Sequence, residues 1–101
     1  MAKMSKRNPF DKRREVVRGL LVSARKYQNM TQKQLATQLQ KPQSFVSKYE
    51  NGDRLLDLVE THQICQVLNY SFSEFTLSFE MAINEPSVNY SADIDREKDE
   101  K

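Results

Sequence analysis

Gln43, Ser44, Ser47 and Lys48 gather an amide, two hydroxyls and an ammonium into one short segment. If that segment is a helix, successive side chains turn by about 100°. Ser47, Ser44 and Lys48 then lie roughly 40°, 100° and 140° from Gln43, while Phe45, Val46 and Tyr49 fill the arc from about 200° to 300°. One side of such a helix anchors in a core and the other offers hydrogen-bonding groups to a partner. The chemistry is that of base-edge reading. Gln pairs with adenine by two bonds, Ser reaches several base edges or a phosphate, and Lys favours guanine or phosphate. Glu50, at roughly 340° on the same wheel, is the one negative charge on the border of this arc.

The surrounding residues predict the elements that would hold this helix. Thr31 followed by Gln34 forms a capping-box pattern that opens a helix running to Leu39, with Leu35, Ala36 and Leu39 on one face. Gln40-Lys41-Pro42 breaks it, and Pro42 suits the entry to the next helix, which Asn51-Gly52 stops. Upstream, Asp11 caps a first helix to about Gln28. Its apolar stripe is Val16, Val17, Leu20, Leu21, Ala24 and Tyr27. Gly19 interrupts that helix at a cost of about 1 kcal/mol, which a close helix crossing would offset. Asn29 suits a left-handed C-terminal cap.

Asp57 with Glu60 repeats the capping box and opens a fourth helix from Leu58 to about Asn69. Its apolar residues are Leu58, Val59, Ile64, Cys65, Val67 and Leu68. Ser73 is expected to cap a fifth helix ending near Ile83. Phe75, Phe79 and Ile83 share one face of it, whereas Leu77 and Met81 sit about 200° round the wheel. A second apolar patch on a surface helix points to a partner, and Leu77 and Met81 are candidate dimer contacts.

The totals limit the classes of function. The 101 residues suit one domain. No apolar run is long enough to span a membrane, and the basic start lacks a signal-peptide core. The single cysteine, Cys65, excludes an intramolecular disulfide and fits a small core residue in a reducing cytosol. His62 has no second ligand at metal-binding spacing, and no phosphate loop, catalytic triad or acid pair occurs. The expectation is therefore no enzyme, no metal and no cofactor. The net charge of +2 conceals an asymmetry, +9 over residues 1–56 and −7 over residues 57–101. That split suits one face turned to a polyanion and another to solvent or a protein.

At Thr31–Leu39 the run T-Q-x-x-L-A-x-x-L, followed by Q-S-x-V-S-x-x-E-N-G at Gln43–Gly52, resembles the lambda-repressor-like, or Xre/Cro, helix-turn-helix proteins. The resemblance covers roughly Leu20 to Phe75. It implies a compact, all-α, five-helix domain whose second and third helices form the helix-turn-helix. It also implies that Gln43, Ser44, Ser47 and Lys48 read bases, and that Gln32 braces a phosphate from the start of the second helix. Thr31, Asn51 and Arg54 join it at the backbone, and Arg25 with Glu50 forms an ion pair between the first and third helices. The chain departs from the family at the turn, where Gln40 replaces the usual glycine and must adopt a left-handed backbone. A second departure is the absence of a proline ahead of the fourth helix.

The resulting expectation is a domain over residues 11–83, preceded by a basic arm at 1–10 and followed by an acidic tail at 84–101. Its function is that of a sequence-specific double-stranded DNA-binding transcription regulator, a repressor, working as a homodimer. It would act in a prokaryotic cytoplasm, at the nucleoid or from a phage genome. With no sensor segment in view, control would come from concentration, a partner or proteolysis. The alternative is an antitoxin or co-regulator that mainly holds another protein.

Overall fold

The structure is a computed structural model that describes residues 11–84; the basic arm and most of the acidic tail lie outside them. Five helices follow one another: α1 (Lys12–Tyr27), α2 (Gln32–Leu39), α3 (Gln43–Asn51), α4 (Leu58–Val67) and α5 (Phe72–Asn84). The described residues contain no strand. α2 packs on α3 and α4, and α1 packs on α3 and α5. The core between them is Leu21, Leu35, Ala36, Val46, Tyr49, Ile64, Cys65, Leu68 and Phe75. Leu21 comes from α1, Leu35 and Ala36 from α2, Val46 and Tyr49 from α3 with Phe45 beside them, Ile64 and Cys65 from α4, and Phe75 from α5, so one narrow face per helix closes the core.

Local chemistry starts the helices. Thr31 Oγ1 accepts from Gln34 N at 3.0 Å while Gln34 Oε1 accepts from Thr31 N at 2.8 Å. Asp57 and Glu60 do the same for α4, at 2.7 and 3.0 Å. α5 differs from expectation. Its cap is Ser71, whose Oγ accepts from Glu74 N at 3.3 Å, and Ser73 lies inside the helix. The earlier start brings Phe72 onto the helix, stacked on Phe75 with ring centroids 5.7 Å apart.

The first four helices end in the same way. The residue after the last turn folds back onto it with a positive φ: Asn29 at 57°, Gln40 at 60°, Gly52 at 89° and Asn69 at 58°. In each, the following N–H reaches a carbonyl five residues back, as in Met30 N to Arg25 O at 3.1 Å and Lys41 N to Ala36 O at 2.9 Å. This double closure satisfies carbonyls that a helix end leaves open. Gln40 is the costly member, because a branched-chain-free polar residue still meets its own carbonyl in the left-handed region.

Three packing expectations fail for a common reason. Tyr27, Leu58 and Val59 are 85, 71 and 66 % exposed, although each falls on its helix's apolar period. All three lie in the first or last turn of their helix. On α4 the core face is carried instead by Thr61, Ile64, Cys65 and Leu68, with Thr61 Oγ1 donating to Asp57 O at 2.8 Å. Gly19 does not mark a close crossing either, since a methyl group built on it meets nothing within 4 Å.

One buried ion pair ties the helices that matter for α3. Arg25 Nε donates to Glu50 Oε2 at 2.7 Å and Nη2 to Oε1 at 3.0 Å, with side chains 11 and 6 % exposed. Arg25 Nη1 donates to Met30 O at 2.7 Å, so the same guanidinium also fixes the α1–α2 turn.

Two outcomes follow for stability. Gly19→Ala gains about 1 kcal/mol, because it restores helix propensity at an open, exposed site; chemical denaturation measures it. Arg25→Ala loses about 3–5 kcal/mol by leaving the Glu50 carboxylate buried without its cation. Replacing both members of the pair by methionine recovers part of that loss, read from the same unfolding midpoints.

Candidate nucleic-acid interface

α3 presents two unlike faces. Phe45, Val46 and Tyr49 are buried, and Gln43, Ser44 and Lys48 are exposed. Ser47 is half-buried, and its Oγ donates to Ser44 O at 3.3 Å within the helix. That bond leaves the hydroxyl oxygen's lone pairs open to a donor from outside. Pro42 precedes α3 without any side-chain cap; Phe45 N donates to Pro42 O at 2.9 Å, while the Gln43 and Ser44 N–H groups point out of the helix unanswered by its own carbonyls.

α2 places a second set of groups beside this face. The Thr31 hydroxyl accepts from the backbone in the capping box but keeps its own hydrogen. Gln32 Nε2 donates to Glu50 Oε1 at 2.8 Å, leaving its second amide hydrogen. Glu50 therefore receives Arg25 from α1 and Gln32 from α2 while standing on α3. Asn51, the last residue of α3, is exposed at the start of the loop to α4.

Arg54 is placed differently from its neighbours. Its Nη1 and Nη2 donate to the two Glu60 oxygens at 3.1 and 3.0 Å, and Nη1 also reaches Leu55 O at 3.0 Å. Its Cζ lies 4.7 Å from the Phe45 ring centroid, and Lys41 Nζ lies 5.3 Å from the same ring. Arg54, its side chain 40 % exposed, thus fastens the α3–α4 loop between Phe45 of α3 and the cap of α4. The Arg54 guanidinium holds the Glu60 carboxyl below the usual range, with the Asp57 N–H adding to the effect. That contribution to stability is present above the ordinary glutamate pKa and is lost as the pH falls through the lowered one.

Sequence reasoning missed three features of this region. Glu60 serves the α4 cap and Arg54 at once, Phe45 lies between two cations, and Arg18 of α1 rests on Gly52. Only the Asp57–Glu60 spacing carried a signal. Cys65 is fully buried, and burial pushes its thiol up to about 11, so it is neutral packing rather than a nucleophile. His62 sits edge-on to Phe72 with centroids 5.1 Å apart. No helix among the described residues is long and apolar enough to cross a membrane.

Comparison with known proteins agrees with this geometry. A family model described as Helix-turn-helix matches residues 21–75. Among solved structures, an XRE-family like protein from Pseudomonas syringae pv. tomato str. DC3000 is 36 % identical with a TM-score of 0.69. That match covers 74 % of this chain and 90 % of the other. The clp gene regulator ClgR from Corynebacterium glutamicum shares the fold at 20 % identity and a TM-score of 0.63, over 70 % of this chain and 76 % of its own. No curated protein sequence matches. The match over more than half of the chain and the α2–turn–α3 geometry lead to one conclusion: the chain belongs to the Xre, or lambda-repressor-like, helix-turn-helix family of DNA-binding transcription regulators.

Proposed function

We propose that the protein is a sequence-specific repressor that binds double-stranded DNA as a homodimer and inserts α3 into the major groove. The observation that carries this reading is the exposed polar arc of α3 on a helix whose opposite face is locked in the core. In this reading Gln43, Ser44, Ser47 and Lys48 meet base edges. Thr31, Gln32 and Asn51 meet phosphates on either side, which set register without selecting sequence. Arg54, its side chain 40 % exposed beside Glu60, joins them at the DNA backbone. A domain seated over an operator represses by occupying DNA that another protein needs.

The dimer assignment rests on α5. Leu77 and Met81 are 58 and 63 % exposed on the face turned away from Phe75, which is buried. Two-fold pairing through α5 would present two α3 helices to half-sites about one helical turn apart.

A second reading, protein capture by an antitoxin or co-regulator, is favoured by one observation. A groove of about 420 Å³ lies between α1 and the α4–α5 turn, with Leu20, Ala24, Tyr27, Leu68 and Tyr70 among its lining residues. Salt-insensitive capture of a protein, without DNA affinity, would replace the DNA-reading proposal by this one.

Selection of bound sequences from a random duplex pool tests the proposal directly. A two-fold symmetric consensus is the expected result, and no enrichment would overturn it. On the selected site, Gln43→Ala weakens binding by about 1–3 kcal/mol and relaxes preference at one base position. Unchanged affinity and consensus would remove Gln43 from the reading set. Leu77→Asp shifts the sedimentation coefficient towards that of the monomer, and a persistent dimer would move the interface away from α5.

A further inference from the structure

Arg18 stands on α1, outside the helix-turn-helix, yet its guanidinium lies over the residue that closes α3. A methyl group on Gly52 would meet Arg18 Cζ at 3.2 Å and Nη1 at 3.3 Å. Arg25 and Arg54 are answered by Glu50 and Glu60, whereas Arg18 forms no ion pair among the described residues. It therefore brings an uncompensated cation to the start of the α3–α4 loop.

Beside it opens a cavity of about 50 Å³, with Val17, Arg18, Tyr49, Leu55 and Leu56 among its lining residues. Tyr49 is fully buried, and its hydroxyl has no hydrogen-bond partner among the described residues. Burial first, and the Glu50 charge second, push this phenol well above its ordinary pKa, so it stays a donor at neutral pH. A buried donor without an acceptor costs about 1–3 kcal/mol. That hydroxyl exposes no surface even to a water molecule, so an anionic oxygen at the cavity mouth would answer the Arg18 cation alone.

We propose that Arg18 is a further DNA-backbone contact, holding one phosphate against the α3–α4 loop beside Gly52. The inference rests on the DNA-binding reading and extends the phosphate-facing surface from the helix-turn-helix onto α1. Asp53, exposed in the same loop, repels a phosphate and confines the contact to the Arg18 side of Gly52. The competing account is structural: a cation at the C-terminal end of α3 complements the helix dipole. The two accounts differ in what DNA registers.

The test uses the full chain and two probes, the selected site and a random-sequence duplex of equal length. Affinity is measured over a series of salt concentrations, and melting temperature is followed in parallel. Arg18→Gln makes the slope of log K against log salt shallower by roughly 0.9, one phosphate's share. Binding to both duplexes weakens by the same factor. Arg18→Lys restores the slope, because the charge is kept. Arg18→Gln with the wild-type slope and a lowered melting temperature would overturn the proposal and leave Arg18 a helix-end cation. Failure of the wild-type chain to bind either duplex would overturn the DNA-binding reading itself, a result distinct from the first.

Discussion

The Glu50 carboxylate is the constraint on which the rest of this domain depends. It stands on α3 and receives two hydrogen bonds from Arg25 of α1 and one from Gln32 of α2. The third arm of Arg25 closes on Met30 O in the turn between those helices. Burying a charge pair costs several kcal/mol unless the geometry satisfies both ions. A rotation of α3 by a fraction of a turn would break this set while leaving Val46 and Tyr49 in apolar surroundings. Apolar packing alone tolerates such a slip, so the pair adds orientation more than net stability.

The same pair accounts for a negative charge at the edge of the polar arc proposed to meet DNA. Arg25 neutralises Glu50 from the protein side, so Gln43 and Ser47 can adjoin it without a repulsive field. At the far end of α3 the loop is fastened separately. Arg54 links Phe45, Leu55 O and Glu60, and Glu60 in turn closes the cap of α4. Left-handed residues, Gln40 before α3 and Gly52 after it, bound the turns on both sides. α3 is thus pinned at its start, along its buried face and at its end by three unlike interactions.

What the sequence made legible follows the range of each interaction. The capping boxes Thr31–Gln34 and Asp57–Glu60 were readable because both partners lie within one turn. The core positions Leu21, Leu35, Val46, Ile64 and Leu68 follow from helical period. Tyr27, Leu58 and Val59 satisfy the same period and are exposed, because periodicity says which way a side chain points and not whether a neighbour extends that far. Ser71 and Ser73 are both fit to cap α5. The choice between them depends on where α4 ends, at left-handed Asn69, and on the stacking of Phe72 with Phe75. The Arg54–Glu60 pair crosses a loop and the Arg18–Gly52 contact joins distant segments, so no local pattern announces either. Arg25 and Glu50 came from family resemblance, since nothing in their separation links them.

This separation of roles shapes how recognition can change. Among the described residues the side chains of Gln43, Ser44 and Lys48 carry no hydrogen bond, so replacing them removes nothing that holds the fold. Glu50, two residues beyond Lys48, cannot change without leaving Arg25 and Gln32 unanswered. Freedom in the reading side chains has its own consequence, because ordering a long side chain on binding costs about 0.5–1.5 kcal/mol. Ser47, short and already bonded to Ser44 O, loses least. In the proposed reading, Gln43 and Lys48 would supply discrimination at that entropic cost, with the buried Glu50 cluster holding the backbone beneath them.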